Sequence, residues 1–124
     1  MSSGPRRSRA KQPPGLDGLR PVLDGLSARK AVDLVVLDLR GLSEATDYFV
    51  IASGTSDAHV RGMADHLLAL PGVAGPHHVE GLTQGRWVLL DYVDFVVHLF
   101  HPELRGFYQL ERLWGEAPVV AGAD

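Results

Sequence analysis

Asp91 and Asp94 are the first residues whose type invites a chemical reading, because paired carboxylates hold a divalent metal over phosphate groups in nucleotide-transferring enzymes. Their spacing argues otherwise. Two carboxylates on one strand face need a separation of two, whereas Asp91-Tyr92-Val93-Asp94 brackets a chain reversal, where Asp serves its own neighbouring backbone. Ser53-Gly54-Thr55-Ser56 is a second candidate, since amides at a helix N-terminus can cradle phosphate. It lacks the further glycine and the lysine of a P-loop, and helix capping accounts for each of its residues. Among six histidines, His98 and His101 are three apart and His77 and His78 are adjacent, so neither pair has the i, i+4 spacing of a helical zinc motif. No cysteine is available to complete a metal site or a disulfide. No serine or threonine stands in a nucleophile-elbow context. The sequence therefore predicts no catalytic site, no metal and no cofactor.

What the same residues do suggest is a surface. Trp87 and Asp91 fall on one strand face, with Glu80, Tyr92, Asp94 and Glu111 nearby in sequence or across a hairpin. An aromatic anchor ringed by acids is the composition of a protein-binding patch that faces a basic partner. Equally, Trp87 could be core and the acids a solvated rim, since tryptophan is usually well buried. His98 reads as a polar residue on the next strand, satisfied locally or presented to a partner. Charge favours a basic protein over nucleic acid. The net charge is −3, but Arg6, Arg7, Arg9 and Lys11 sit in a tail without acids, which leaves eight basic against fifteen acidic residues, a net of −7, for the rest.

The elements that must position these residues follow from periodicity. Leu16, Leu19, Leu23 and Leu26 step by three and four, a short helix with Pro21 near its first turn. Asp33 to Leu39 is a continuous apolar run rich in branched residues, a central strand, and Tyr48 to Ala52 is a second. Ser53 to Ser56 then caps a helix that turns Val60, Met63, Ala64, Leu67 and Leu68 to the core. His77 to Glu80 is a marginal strand. In Arg86 to Phe100, Trp87, Leu89 and Asp91 alternate with Val88 and Leu90, and Asp94 to Phe100 returns antiparallel. Phe107, Leu110, Leu113 and Trp114 recur at helical spacing after Pro102.

This order predicts an α/β architecture: a single domain, residues 16–116, with a mixed five-stranded sheet flanked by helices. A basic disordered tail precedes it over 1–15 and a flexible C-terminal tail follows over 117–124. Its 124 residues suffice for one core. No apolar run reaches the roughly 20 residues needed to span a bilayer, and the start carries no secretory signal, so a soluble protein is expected.

Several blocks together resemble the ribosomal silencing factor (Iojap) family. They are Asp33; Thr46-Asp47-Tyr48-Phe49-Val50-Ile51; Ser53-Gly54-Thr55-Ser56 with His59-Val60 and Ala64-Asp65; Val79-Glu80-Gly81; Trp87, Asp91, Asp94, Val96, Val97 and His98; and Tyr108 to Trp114. They stand in the family's order and spacing from about Leu16 to Gly115. The resemblance implies a nucleotidyltransferase-like fold without catalytic apparatus. It also implies a translational repressor that binds the large ribosomal subunit through ribosomal protein fourteen and blocks joining of the small subunit when nutrients are scarce. Carried onto this chain, Trp87 and Asp91 would make that contact, with Glu80, Asp94 and His98 beside them. The basic tail lies outside the family pattern and could touch ribosomal RNA. A bacterial cytoplasmic protein without a membrane partner is expected. The rivals are a nucleotidyltransferase-type enzyme using Asp91 and Asp94 with a metal, and a homodimer that buries the Trp87 face.

Overall fold

The computed structural model describes residues 14–104 and 119–122. Helix α1 (Pro14–Ala28) buries Leu19, Val22, Leu23 and Leu26 along one stripe. Pro21 lies inside this helix and not in its first turn, with its ring exposed. An interior proline removes one helical hydrogen bond at a cost of about 3 kcal/mol. Four buried aliphatic side chains, each contributing roughly 1.5–3 kcal/mol, outweigh it. The helix closes in a Schellman motif: Lys30 N–H donates to Ser27 O (3.0 Å), Ala31 N–H donates to Leu26 O (3.0 Å), and Lys30 takes the left-handed conformation at φ 62°.

Strand β1 (Val32–Asp38) follows at once. Its register shifts between Val32 and Val35, and Asp33 sits at φ 53° within that irregularity. Beyond the bulge Val36 and Leu37 are both buried, because both faces of this strand are covered, which is why the segment reads as a continuous apolar run. Strand β2 (Tyr48–Ser53) pairs with it antiparallel. Helix α2 (Asp57–Leu68) is capped by Ser56, whose side chain accepts from His59 N–H at 3.0 Å. Val60, Met63, Ala64 and Leu67 are buried along α2, but Leu68, expected in the core, is 37 % exposed. At 3.6 residues per turn it lies about 80° round from Val60, past the edge of the buried stripe.

Strands β3 (His78–Glu80), β4 (Trp87–Asp91) and β5 (Phe95–Phe100) form an antiparallel meander. β5 then inserts parallel to β2. The sheet order is β3-β4-β5-β2-β1-β6, in which β6 (Val119–Gly122) pairs antiparallel with β1. The expected mixed five-stranded sheet is present, and β6 adds a sixth strand. Val119–Gly122 falls in the segment expected to be a flexible tail. Without it β1 would be an exposed edge, and pairing satisfies that edge. The predicted helix of Phe107, Leu110, Leu113 and Trp114 lies outside the described residues.

Helices α1 and α2 cover one sheet face, where Val36, Val50, Ala52, Val88, Leu90, Val97 and Leu99 complete the main core. The opposite face carries a separate cluster of Leu37, Leu39, Ile51 and Phe100, with Val35, Phe49, Trp87 and Leu104 packed against it.

Candidate functional site

The second face is where the predicted site residues gather. Directly paired residues share a sheet face, so two rows can be read from the register. One runs Glu80, Leu89, His98, Ile51, Val35, and the other His78, Asp91, Val96, Phe49, Leu37. Trp87 stands opposite Phe100 in the row beyond. Trp87, Asp91, Glu80 and His98 therefore share one face of three neighbouring strands, while Val88 and Leu90 are fully buried on the other, as the alternation requires. Asp94 lies apart from them, exposed in the β4–β5 turn.

Trp87 is half-buried, neither a core residue nor a bare one. Its ring packs on Phe100 at 5.0 Å between centroids, and its indole Nε1–H donates to His98 Nδ1 at 3.2 Å. His98 is 5 % exposed and is walled by Phe49, edge-on at 4.6 Å. Burial in this apolar setting disfavours the imidazolium and pulls the His98 pKa down to about 4. The neutral ring that accepts at Nδ1 must carry its proton on Nε2. That Nε2 is buried with no hydrogen-bond partner among the described residues.

The acids occupy the margin of this aromatic centre. Asp91 is half-buried, and its Oδ1 accepts from Val93 N–H at 2.8 Å, the turn role expected from its spacing. Val93 takes φ 77°, a left-handed conformation unusual for a branched residue. Asp94 contributes its backbone carbonyl, which accepts from Asp47 N–H at 2.9 Å. Glu80 is exposed on the edge strand, with its Oε2 2.6 Å from His78 Nε2.

The turn Ser53-Gly54-Thr55-Ser56 already uses the amides a phosphate would need. Gly54 N–H donates to Phe100 O at 2.9 Å, Thr55 N–H to His59 Nδ1 at 2.8 Å and His59 N–H to Ser56 Oγ. His59 Nε2 lies 2.7 Å from Arg29 O, so the same ring ties the end of α1 to the start of α2.

Sequence reasoning missed what fixes the start of β4. Gly81, at φ 79°, lies so close under the Trp87 carbonyl oxygen that a Cβ there would collide with it. Gly85, at φ 72° and buried, approaches Asp57 O in the same way. Arg86 reaches Asp57 at 3.8 Å and Glu103 at 3.5 Å, and His101 Nε2 lies 3.8 Å from the same Asp57 oxygen. The two glycines flanking the loop 82–84 were the available signal, since each marks a backbone conformation or close approach that a side chain would forbid.

Residues 13–124 match the profile of a family described as "Ribosomal silencing factor during starvation". The chain is 41 % identical over 117 residues to a ribosomal silencing factor of Zymomonas mobilis, covering 91 % of this chain and 86 % of that one. To the ribosomal silencing factor of Halalkalibacterium halodurans it is 38 % identical over 104 residues, covering 82 % and 89 %. A crystal structure of a Chromobacterium violaceum protein superposes with a TM-score of 0.76 at 30 % identity, covering 81 % of this chain and 85 % of that one.

Proposed function

This chain belongs to the ribosomal silencing factor family, and we propose that it represses translation by binding the large ribosomal subunit through ribosomal protein fourteen and excluding the small subunit. A ribosome-associated silencing role follows from the family itself. The partner and the steric mechanism are the finer reading, and the observation that carries them is the Trp87 face. Its half-buried aromatic, packed on Phe100 and His98 and bordered by Asp91 and Glu80, has the composition of an anchor for a basic protein surface. Asp94 extends the acidic margin at the adjoining turn. The net charge of −7 outside the basic tail supports the same polarity of partner.

The mechanism is occupancy. Burial of the indole supplies affinity, and the acids supply orientation and encounter rate, so no bond is made or broken and no cofactor is required. The enzymatic alternative has little to stand on, because the Asp91 carboxylate is engaged by its own turn and the Ser53–Ser56 amides are largely occupied. For a bacterial member of the family, a ribosomal partner puts the proposed site of action in the cytoplasm.

Sedimentation of the protein with separated ribosomal subunits tests the reading directly. Migration with the large subunit alone, together with loss of joined ribosomes on adding the small subunit, is the expected result. Failure to bind either subunit at low salt would overturn it.

A further inference from the structure

We infer that His98 is a positioning residue, which sets the orientation of the Trp87 indole for the protein partner without itself touching that partner. The inference rests on the proposed role of the Trp87 face and deepens it. Its basis is geometric. His98 sits in register between Leu89 and Ile51, and its ring lies against the rings of Phe49 and Phe100, so its wall among the described residues is apolar. Among the described residues only one of its two nitrogens has a hydrogen-bond partner, and that one accepts the Trp87 Nε1–H.

An apolar side chain would suit this environment better. A buried donor without a partner carries its full desolvation penalty, and replacing such groups by apolar ones of similar shape is nearly neutral or stabilising. The chain nonetheless places here a histidine whose Nε2–H has no partner among the described residues. What the imidazole supplies and an aliphatic residue cannot is an acceptor on the floor of the face, aimed at the indole of the neighbouring strand. With Nδ1 occupied and the ring 5 % exposed, His98 is itself withdrawn from a partner. An indole held by a hydrogen bond at its nitrogen and by ring packing on Phe100 has less freedom to swing about its side-chain torsions. Binding then does not have to restrict it. Lowered basicity of the imidazole is consistent with this, since a protonated ring would donate at Nδ1 and repel the indole N–H.

His98→Leu and His98→Asn separate this role from a structural one. Leucine keeps the packing and removes the acceptor, whereas the Asn Oδ1 can stand near the position of Nδ1. Three quantities are read on the full chain: the melting temperature, the Trp87 indole N–H resonance assigned with a Trp114→Phe variant, and affinity for purified large subunits. The expected result is that His98→Leu keeps or raises the melting temperature, moves the indole resonance, and weakens binding about twofold to tenfold, the range one hydrogen bond spans. His98→Asn should recover part of the affinity. Equal binding by the unaltered protein and by a stable His98→Leu variant would overturn the inference and leave the functional reading standing. Weakening by His98→Leu only in proportion to lost stability would overturn it too. No binding by the unaltered protein would remove the functional reading and this inference together.

Discussion

The indole nitrogen of Trp87 and the Nδ1 of His98 meet at 3.2 Å across neighbouring strands, and this contact couples a half-buried element of the candidate surface to a buried one. Trp87 is half-buried at the start of β4, and His98 lies at the floor of the same face. Through that bond a residue suited to contact and a residue suited only to support become one unit.

Trp87→Ala should weaken binding to the large subunit by about 2 kcal/mol or more, the usual cost of truncating an aromatic anchor. The measurement is co-sedimentation at graded subunit concentrations. A folded variant with unaltered affinity would remove Trp87 from the contact.

Asp91→Lys should weaken binding through like-charge repulsion against a basic partner, by an amount that shrinks as salt is raised. Because Asp91 Oδ1 also holds Val93 N–H, the melting temperature should fall modestly. Asp91→Asn keeps a turn acceptor and separates the two effects. Salt-independent loss that tracks the melting temperature alone would make Asp91 purely structural.

Stability should decline with acidification in a window set by His98. Its folded pKa of about 4 lies below the ordinary 6.5, so the unfolded chain takes the proton first as pH falls. The contribution is full above pH 6.5 and is lost progressively down to about pH 4, roughly 3 kcal/mol in all. Among the described residues Asp91 and Glu80 are acids on the same sheet face, Glu80 paired with Leu89 and Asp91 with Val96. Asp38, whose carboxyl is held below its usual range chiefly by Arg40, acts in a lower window and does not obscure it. Denaturant melts at pH 7, 5.5 and 4.5 on the unaltered protein and on His98→Leu should show a slope in the first that is reduced in the second. Parallel pH profiles would exclude His98 as the source.

Gly81→Ala should cost about 2–4 kcal/mol, because the new Cβ would strike the Trp87 carbonyl and the residue needs a left-handed backbone. The loss should show as a lower denaturation midpoint and as exchange broadening of the Trp87 indole signal. A variant as stable as the parent would mean that the loop can move away from β4 freely.

The elements of this protein are legible in its sequence because they are written in local periodicity. Alternation over residues 87–91 fixes which side chains share a face, and Ser56 with its helix is a local capping relationship. Trp87 and Asp91 could be placed together on that basis, and the family could be named from its ordered blocks. Pro21 falls inside the helix because α1 begins at Pro14, ahead of the leucine pattern, and Leu68 lies one helical step past the buried stripe. The sixth strand was invisible for a different reason. Val119–Gly122 is too short to announce itself and becomes a strand only because β1 offers an unpaired edge. The state of His98 belongs to the tertiary structure alone. Sequence puts a histidine on a strand, but its tautomer, its lowered basicity and its grip on Trp87 arise from residues on three strands brought into register by the parallel insertion of β5 beside β2. Periodicity records the direction in which a side chain points, and long-range pairing decides what it meets there.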